Sequence, residues 1–114
     1  MIASRTICEI TIFGSPTTAS SNDQTWENEM ANELALIPPE FSYGKFLSVD
    51  AKFYIKKNRL NGRKLDLDNL VSIVFNSLVS SLVIQDDSYI RQCSISKVPT
   101  NSEECLELTL KELI

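Results

Sequence analysis

Hydrophobic residues alternate along residues 6–13, with Cys8, Ile10 and Ile12 on one side and Glu9 and Thr11 on the other. That period predicts a first strand, ended by Gly14 and Pro16, with a polar loop from Thr17 to Asn22. The period then changes. Trp26, Met30, Leu34 and Ile37 recur every three or four residues, and Glu27, Glu29 and Glu33 fall outside the stripe. This predicts an amphipathic helix over about Asp23 to Leu36, with Ser21 and Gln24 at capping-box spacing and Pro38-Pro39 as its stop. Phe46 to Lys56 is the clearest strand, with Leu47, Val49, Ala51, Phe53 and Ile55 facing one way. Asn58 to Lys64 is a basic connection with a tight turn expected at Asn61-Gly62. A second helix is predicted from about Asn69 to Leu82, with Asp68 as its N-cap. One of its stripes is Leu70, Val74, Ser77 and Leu78; another is Val71, Phe75, Val79 and Leu82. Only a narrow polar seam remains, of Asn69, Ser72, Asn76 and Ser80, so burial on more than one side is expected. Ser88 to Val98 reads as extended, Pro99 to Ser102 as a turn, and Leu106, Leu108 and Leu110 as the apolar side of a last strand. These two strands predict a closing hairpin. The order β-α-β-α-β-β points to the α/β (α+β) class: a mixed sheet of about four strands with two helices on one face.

Length and composition narrow the classes. The 114 residues suit one domain, 1–114, with one core. No apolar run approaches a membrane span, and Met1 to Arg5 lacks the features of a secretory signal, so a cytoplasmic protein with no membrane partner is expected. Cys8, Cys93 and Cys105 are odd in number and widely spaced, and histidine is absent. That argues against a disulfide framework, a zinc site and any Ser-His-Asp triad. The net charge of −4 speaks against nucleic acid, but its distribution does not. Lys56, Lys57, Arg59, Arg63 and Lys64 are five of the eleven basic residues and stand together. They are candidate DNA phosphate contacts; a solvated charged loop is the other reading.

That basic stretch runs directly into Asp66-Leu67-Asp68-Asn69-Leu70, and a second acidic cluster, Asp86-Asp87-Ser88, follows the apolar helix. Asp66 and Asp68 project to the same side if Asp66 is extended, and only one of Asp86 and Asp87 can share a direction with them. Carboxylates gathered without local counter-charge are relieved by Mg²⁺ or Mn²⁺, which can hold a phosphodiester and activate water. Equally, Asp68 can serve as a helix cap and Asp86-Asp87-Ser88 as a turn.

Two stretches carry a resemblance. Asp66 to Leu70 running on to Phe75-Asn76-Ser77-Leu78, then Ile84 to Ile90 and Lys97-Val98-Pro99, resemble the RusA family of Holliday-junction resolvases. That family carries Asp-x-Asp-Asn-Leu opening a helix and Asp-Asp-Ser/Ala opening the next strand, and the separation matches without gaps. Resemblance extends more weakly over the last two-thirds of the chain, from Leu47. It implies a homodimer that binds four-way DNA junctions in recombination and repair and nicks two opposed strands using Mg²⁺. The family's catalytic and metal-binding aspartates would fall on Asp66, Asp68 and Asp87.

The departures are specific. Ser72 stands where the family often has a lysine, one helical turn after the second aspartate, and Asn76 replaces an acidic residue. A glycine common before the Asp-Asp pair is missing from Ser80-Ser81-Leu82, and Ser15-Pro16-Thr17-Thr18 lacks the basic segment of relatives. Loss of one cation at a phosphoryl-transfer site costs on the order of a hundredfold in rate; Lys64 and Lys97 are the candidates to compensate. Three expectations follow: a Mg²⁺-dependent junction endonuclease, a junction-binding protein with weak or lost cleavage, and a protein-interaction module on the same scaffold. Trp26 is read as a helix-to-sheet anchor, Cys8 as a buried thiol, and Tyr89 as either a base-stacking side chain or sheet packing.

Overall fold

Strand β2 (Leu47–Lys56) is the spine of the molecule. Its alternation puts Leu47, Val49, Ala51, Phe53 and Ile55 at no more than 1% exposure, all on one face. A strand buried to that extent needs partners on both edges. It pairs antiparallel with β4 (Cys105–Leu113) and parallel with β3 (Ile90–Thr100), and β1 (Ser4–Phe13) adds to the far side of β4. The sheet is mixed, four-stranded, in the order β1-β4-β2-β3. The computed structural model describes residues 3–14, 25–60 and 65–114, with no side-chain description for 25–27. The expected Ser21–Gln24 cap, the turn at Asn61-Gly62, and the roles of Trp26, Arg63 and Lys64 lie outside what is described.

Helices α1 (Thr25–Leu34) and α3 (Leu67–Ser80) touch each other and cover the apolar face. Met30 and Leu34 of α1, and Leu70, Ile73, Val74 and Leu78 of α3, complete one core with Leu106, Leu108 and Leu110 of β4. The polar side of α3 is a line of exposed small residues, Ser72, Asn76 and Ser80. Pro38-Pro39 ends α1 as expected, and Pro39 also begins a short helix, α2 (Pro39–Ser42), because a proline's fixed φ suits the first helical position. The opposite sheet face is polar: Lys52 lies beside Glu107, and the Tyr54 hydroxyl donates to Glu107 Oε2 at 3.2 Å. No helix among the described residues is long and apolar enough to cross a membrane.

Two expectations change. β3 and β4 do not pair as a hairpin, because β2 lies between them. Residues 101–104 instead carry the chain across the end of β2, where Glu104, 3% exposed, accepts the Lys56 backbone N–H at 2.8 Å. The second change is the start of α3. It begins two residues earlier than predicted, with Asp66 rather than Asp68 in the N-cap position; Asp68 falls in the first turn. The Leu70 N–H donates to the Asp66 carbonyl at 3.0 Å, closing the first helical turn.

Candidate functional site

The basic stretch leaves β2 as a 3-10 turn, Lys57–Arg59. Lys56, Lys57 and Asn58 are exposed. Arg59 is not wholly available to solvent: its Nη1 donates to Glu104 Oε1 at 2.8 Å. The buried Glu104 carboxylate therefore receives both the end of β2 and the guanidinium, and it fixes the path of the turn. One residue on, Lys97 Nζ donates to the Leu60 carbonyl at 2.7 Å. Leu65, 5% exposed, then anchors the chain in the core just before the acidic motif. Nothing in the periodicity of the sequence marks Glu104 for this work; the contact joins residues 45 and 48 positions apart.

Asp66 is extended, at φ −62° and ψ 151°, and its carboxylate makes no capping hydrogen bond to the helix. Asp68 is the second helical residue, in the first turn, and is exposed like Asp66. Both stand at the N-terminal end of α3. Ser72, at the family's lysine position, donates its hydroxyl to the Asp68 carbonyl at 3.1 Å. The Lys97 ammonium is anchored by its bond to the Leu60 carbonyl, at the end of the basic turn.

The second acidic cluster lies beyond the other end of α3. Val83 and Ile84 donate their N–H groups to the Leu78 carbonyl, and Leu82 takes φ +60° to make that reversal. Gln85 Oε1 then accepts the Gly44 N–H at 3.0 Å, just ahead of β2. Asp86 caps a 3-10 turn, Asp87–Tyr89: its Oδ1 accepts the Ser88 N–H at 2.8 Å and also the Ser88 hydroxyl. The hydroxyl and then the amide hold the Asp86 carboxyl below its ordinary pKa. Asp87 is left exposed in the turn, and the strand begins at Ile90 rather than Ser88.

The topology decides which acids meet. β2 and β3 are parallel and adjacent, with Leu47 opposite Ile90 and Lys56 opposite Thr100. The connecting helix must run back from the C-terminal end of β2 to the N-terminal end of β3. Its 14 residues span about 21 Å. Asp66 and Asp68 therefore share one end of α3, and Asp87 belongs to the other. Among the described residues no three Cys, Asp or Glu side chains are grouped to hold a metal ion.

A mixed sheet with paired carboxylates opening its crossover helix, preceded by a tethered basic turn, defines the class: a mixed α/β domain with an acidic helix entrance beside a basic turn. The sequence places it within a family: the chain matches the model described as endodeoxyribonuclease RusA over residues 9–111, and it belongs to that family. No curated protein matches the chain. Membership makes this a protein of a DNA-cutting family, in agreement with the resemblance carried by the two acidic motifs.

Proposed function

We propose that the protein is a divalent-metal-dependent endonuclease that binds four-way DNA junctions as a cytoplasmic homodimer and nicks two opposed strands in recombination and repair. The observation that carries this reading is the family match across residues 9–111. The donor chemistry agrees with it. Asp66 and Asp68 are exposed, hard oxygen donors within one helical turn, of the kind that suits Mg²⁺ or Mn²⁺. When bound, such an ion supplies Lewis acidity at the scissile phosphate and lowers the pKa of water.

Asp87 is the third candidate ligand, and the length of α3 separates it from the other two within a chain. A two-fold assembly that lays α3 antiparallel to its copy resolves this. The exposed line of Ser72, Asn76 and Ser80 allows close approach of two such helices. Asp87 of the partner subunit then joins Asp66 and Asp68 of the first, and symmetry gives two sites for two nicks. Lys56 and Lys57, exposed at the end of β2, take the DNA backbone, with Arg63 and Lys64 continuing that stretch in sequence.

A second reading, junction binding with weak cleavage, draws support from Ser72. Its hydroxyl donates to the Asp68 carbonyl, and a serine brings no cation to that turn to assist the developing charge. Incubating a labelled four-way junction with the protein and Mg²⁺ or Mn²⁺ tests both. Paired nicks support the nuclease. Binding without nicks, with nicking recovered in Ser72→Lys by about a hundredfold, supports a weakened site. A protein that binds no branched DNA at low salt overturns both.

A further inference from the structure

Three side chains at the Asp87 end of α3 form a stack that the acidic motifs do not explain. Phe46 precedes β2 and is 45% exposed as a residue. Tyr89, the last residue of the 3-10 turn that Asp87 begins, stacks on that ring with centroids 5.5 Å apart and planes 24° from parallel. Arg91 lays its guanidinium over the same ring, with Cζ 3.9 Å from the centroid. The register explains how they meet: Leu47 pairs with Ile90, so the residue before β2 lies beside the residues flanking the start of β3. Arg91 is exposed and makes no ion pair among the described residues, in contrast to Arg5, Lys45 and Arg59.

We propose that Phe46, Tyr89 and Arg91 are a stacking site for an unpaired nucleobase of DNA beside the strand to be cut. This rests on the DNA-binding part of the reading above and adds to it the chemistry of branch recognition. A guanidinium centred 3.9 Å over a ring, on an exposed residue, offers its outer side to a ligand, and bases stack on arginine planes and aromatic rings alike. Its N–H edge is left to take a phosphate oxygen. Both faces of a paired base are covered by its neighbours in a duplex, so only an opened or branched strand can use the site. Tyr89 lies two residues from Asp87, which puts this selectivity next to a candidate ligand of the metal. As surface packing alone, an exposed cation–π contact adds only about 0.5–1 kcal/mol and calls for no DNA.

The test uses the full chain, a four-way junction and a duplex of the same sequence, with 5-iodouracil at the branch positions. Photocrosslinking to Phe46 or Tyr89, mapped by mass spectrometry, is expected on the junction and not on the duplex. Phe46→Ala is expected to weaken junction binding at least about fivefold and leave duplex binding unchanged. Arg91→Lys keeps the charge and loses the plane, so it lowers junction preference while the salt dependence of binding stays as in wild type. Arg91→Ala lowers the salt slope by about one as well. An unchanged junction preference in Phe46→Ala, in a variant whose circular dichroism matches wild type, overturns the proposal. Crosslinking by a wild type that never nicks leaves this site standing and removes the nuclease reading. Nicking without crosslinking or loss in Phe46→Ala does the reverse, and a wild type that binds neither branched nor single-stranded DNA removes both.

Discussion

At the start of α3 the backbone is tightly held and the carboxylates are loose; at its far end the arrangement differs. Glu104, Lys97 and Leu65 fix the chain before the helix, while Asp66 makes no capping bond. At the far end, Asp86 satisfies its own turn and Leu82 adopts a left-handed backbone to reverse the chain. Only Asp87 of that pair is left without a capping duty. One end thus delivers two carboxylates on a braced support. The other delivers one carboxylate together with an aromatic and cationic surface. Among the described residues neither end gathers three carboxylates by itself, so the metal site proposed above draws on both.

Disabling the two ends of α3 separately is the most severe test of this division. Asp68→Asn and Asp87→Asn are each expected to lower nicking at least about a hundredfold while junction binding persists. Mixed dimers of the two variants should regain single nicks, because one composite site keeps wild-type ligands at both ends. Mn²⁺ titration should likewise give half the wild-type stoichiometry. No recovery in the mixture would place all three ligands in one chain and sink the antiparallel arrangement.

A smaller effect is expected at the brace. Glu104→Ala removes the acceptor of the Lys56 N–H and the Arg59 ion pair, and should cost about 1–3 kcal/mol in urea unfolding. Glu104→Gln should cost less, since it keeps one acceptor. Leu82→Gly should raise stability by about 0.5–1 kcal/mol, because glycine takes positive φ without steric penalty but loses more chain entropy. Thermal unfolding would register it, and a destabilised glycine variant would show that the left-handed leucine is not under strain. The slightest effect is on pH. The folded Asp86 carboxyl has a depressed pKa, so its support of the turn is complete above the ordinary aspartate pKa and is lost as pH falls through the lowered value. Amide exchange at Ser88 should accelerate over that acidic range and not before it.

Much of this was legible in the residues. The alternation of Leu47 to Ile55 and the stripe Leu70, Val74, Ser77 and Leu78 identified the two elements that enclose the core. The acidic motifs and their spacing led to the family that the comparison found. Other features were hidden, for reasons of physics. Alternation tells which residues of β3 and β4 share a face but not that β2 stands between them, since a hairpin and a strand flanked on both sides impose the same period. The cap of α3 was displaced because Asp66 and Asp68 are equally good N-cap residues, and Leu65 packing selects the register. Glu104 and the Phe46–Tyr89–Arg91 stack are products of strand pairing between distant segments, which no local pattern encodes.

The position of β4 has a consequence for biosynthesis. It is the last of the four described strands in chain order, yet it lies inside the sheet between β1 and β2. Until β4 has emerged from the ribosome, β1 has no partner strand and one edge of β2 leaves its backbone N–H and C=O groups unpaired. At about 5–20 residues per second the chain spends several seconds in that condition. The protein therefore cannot mature strand by strand from its N-terminus. Its core closes in one late step, when Leu106, Leu108 and Leu110 slot between the two waiting strands.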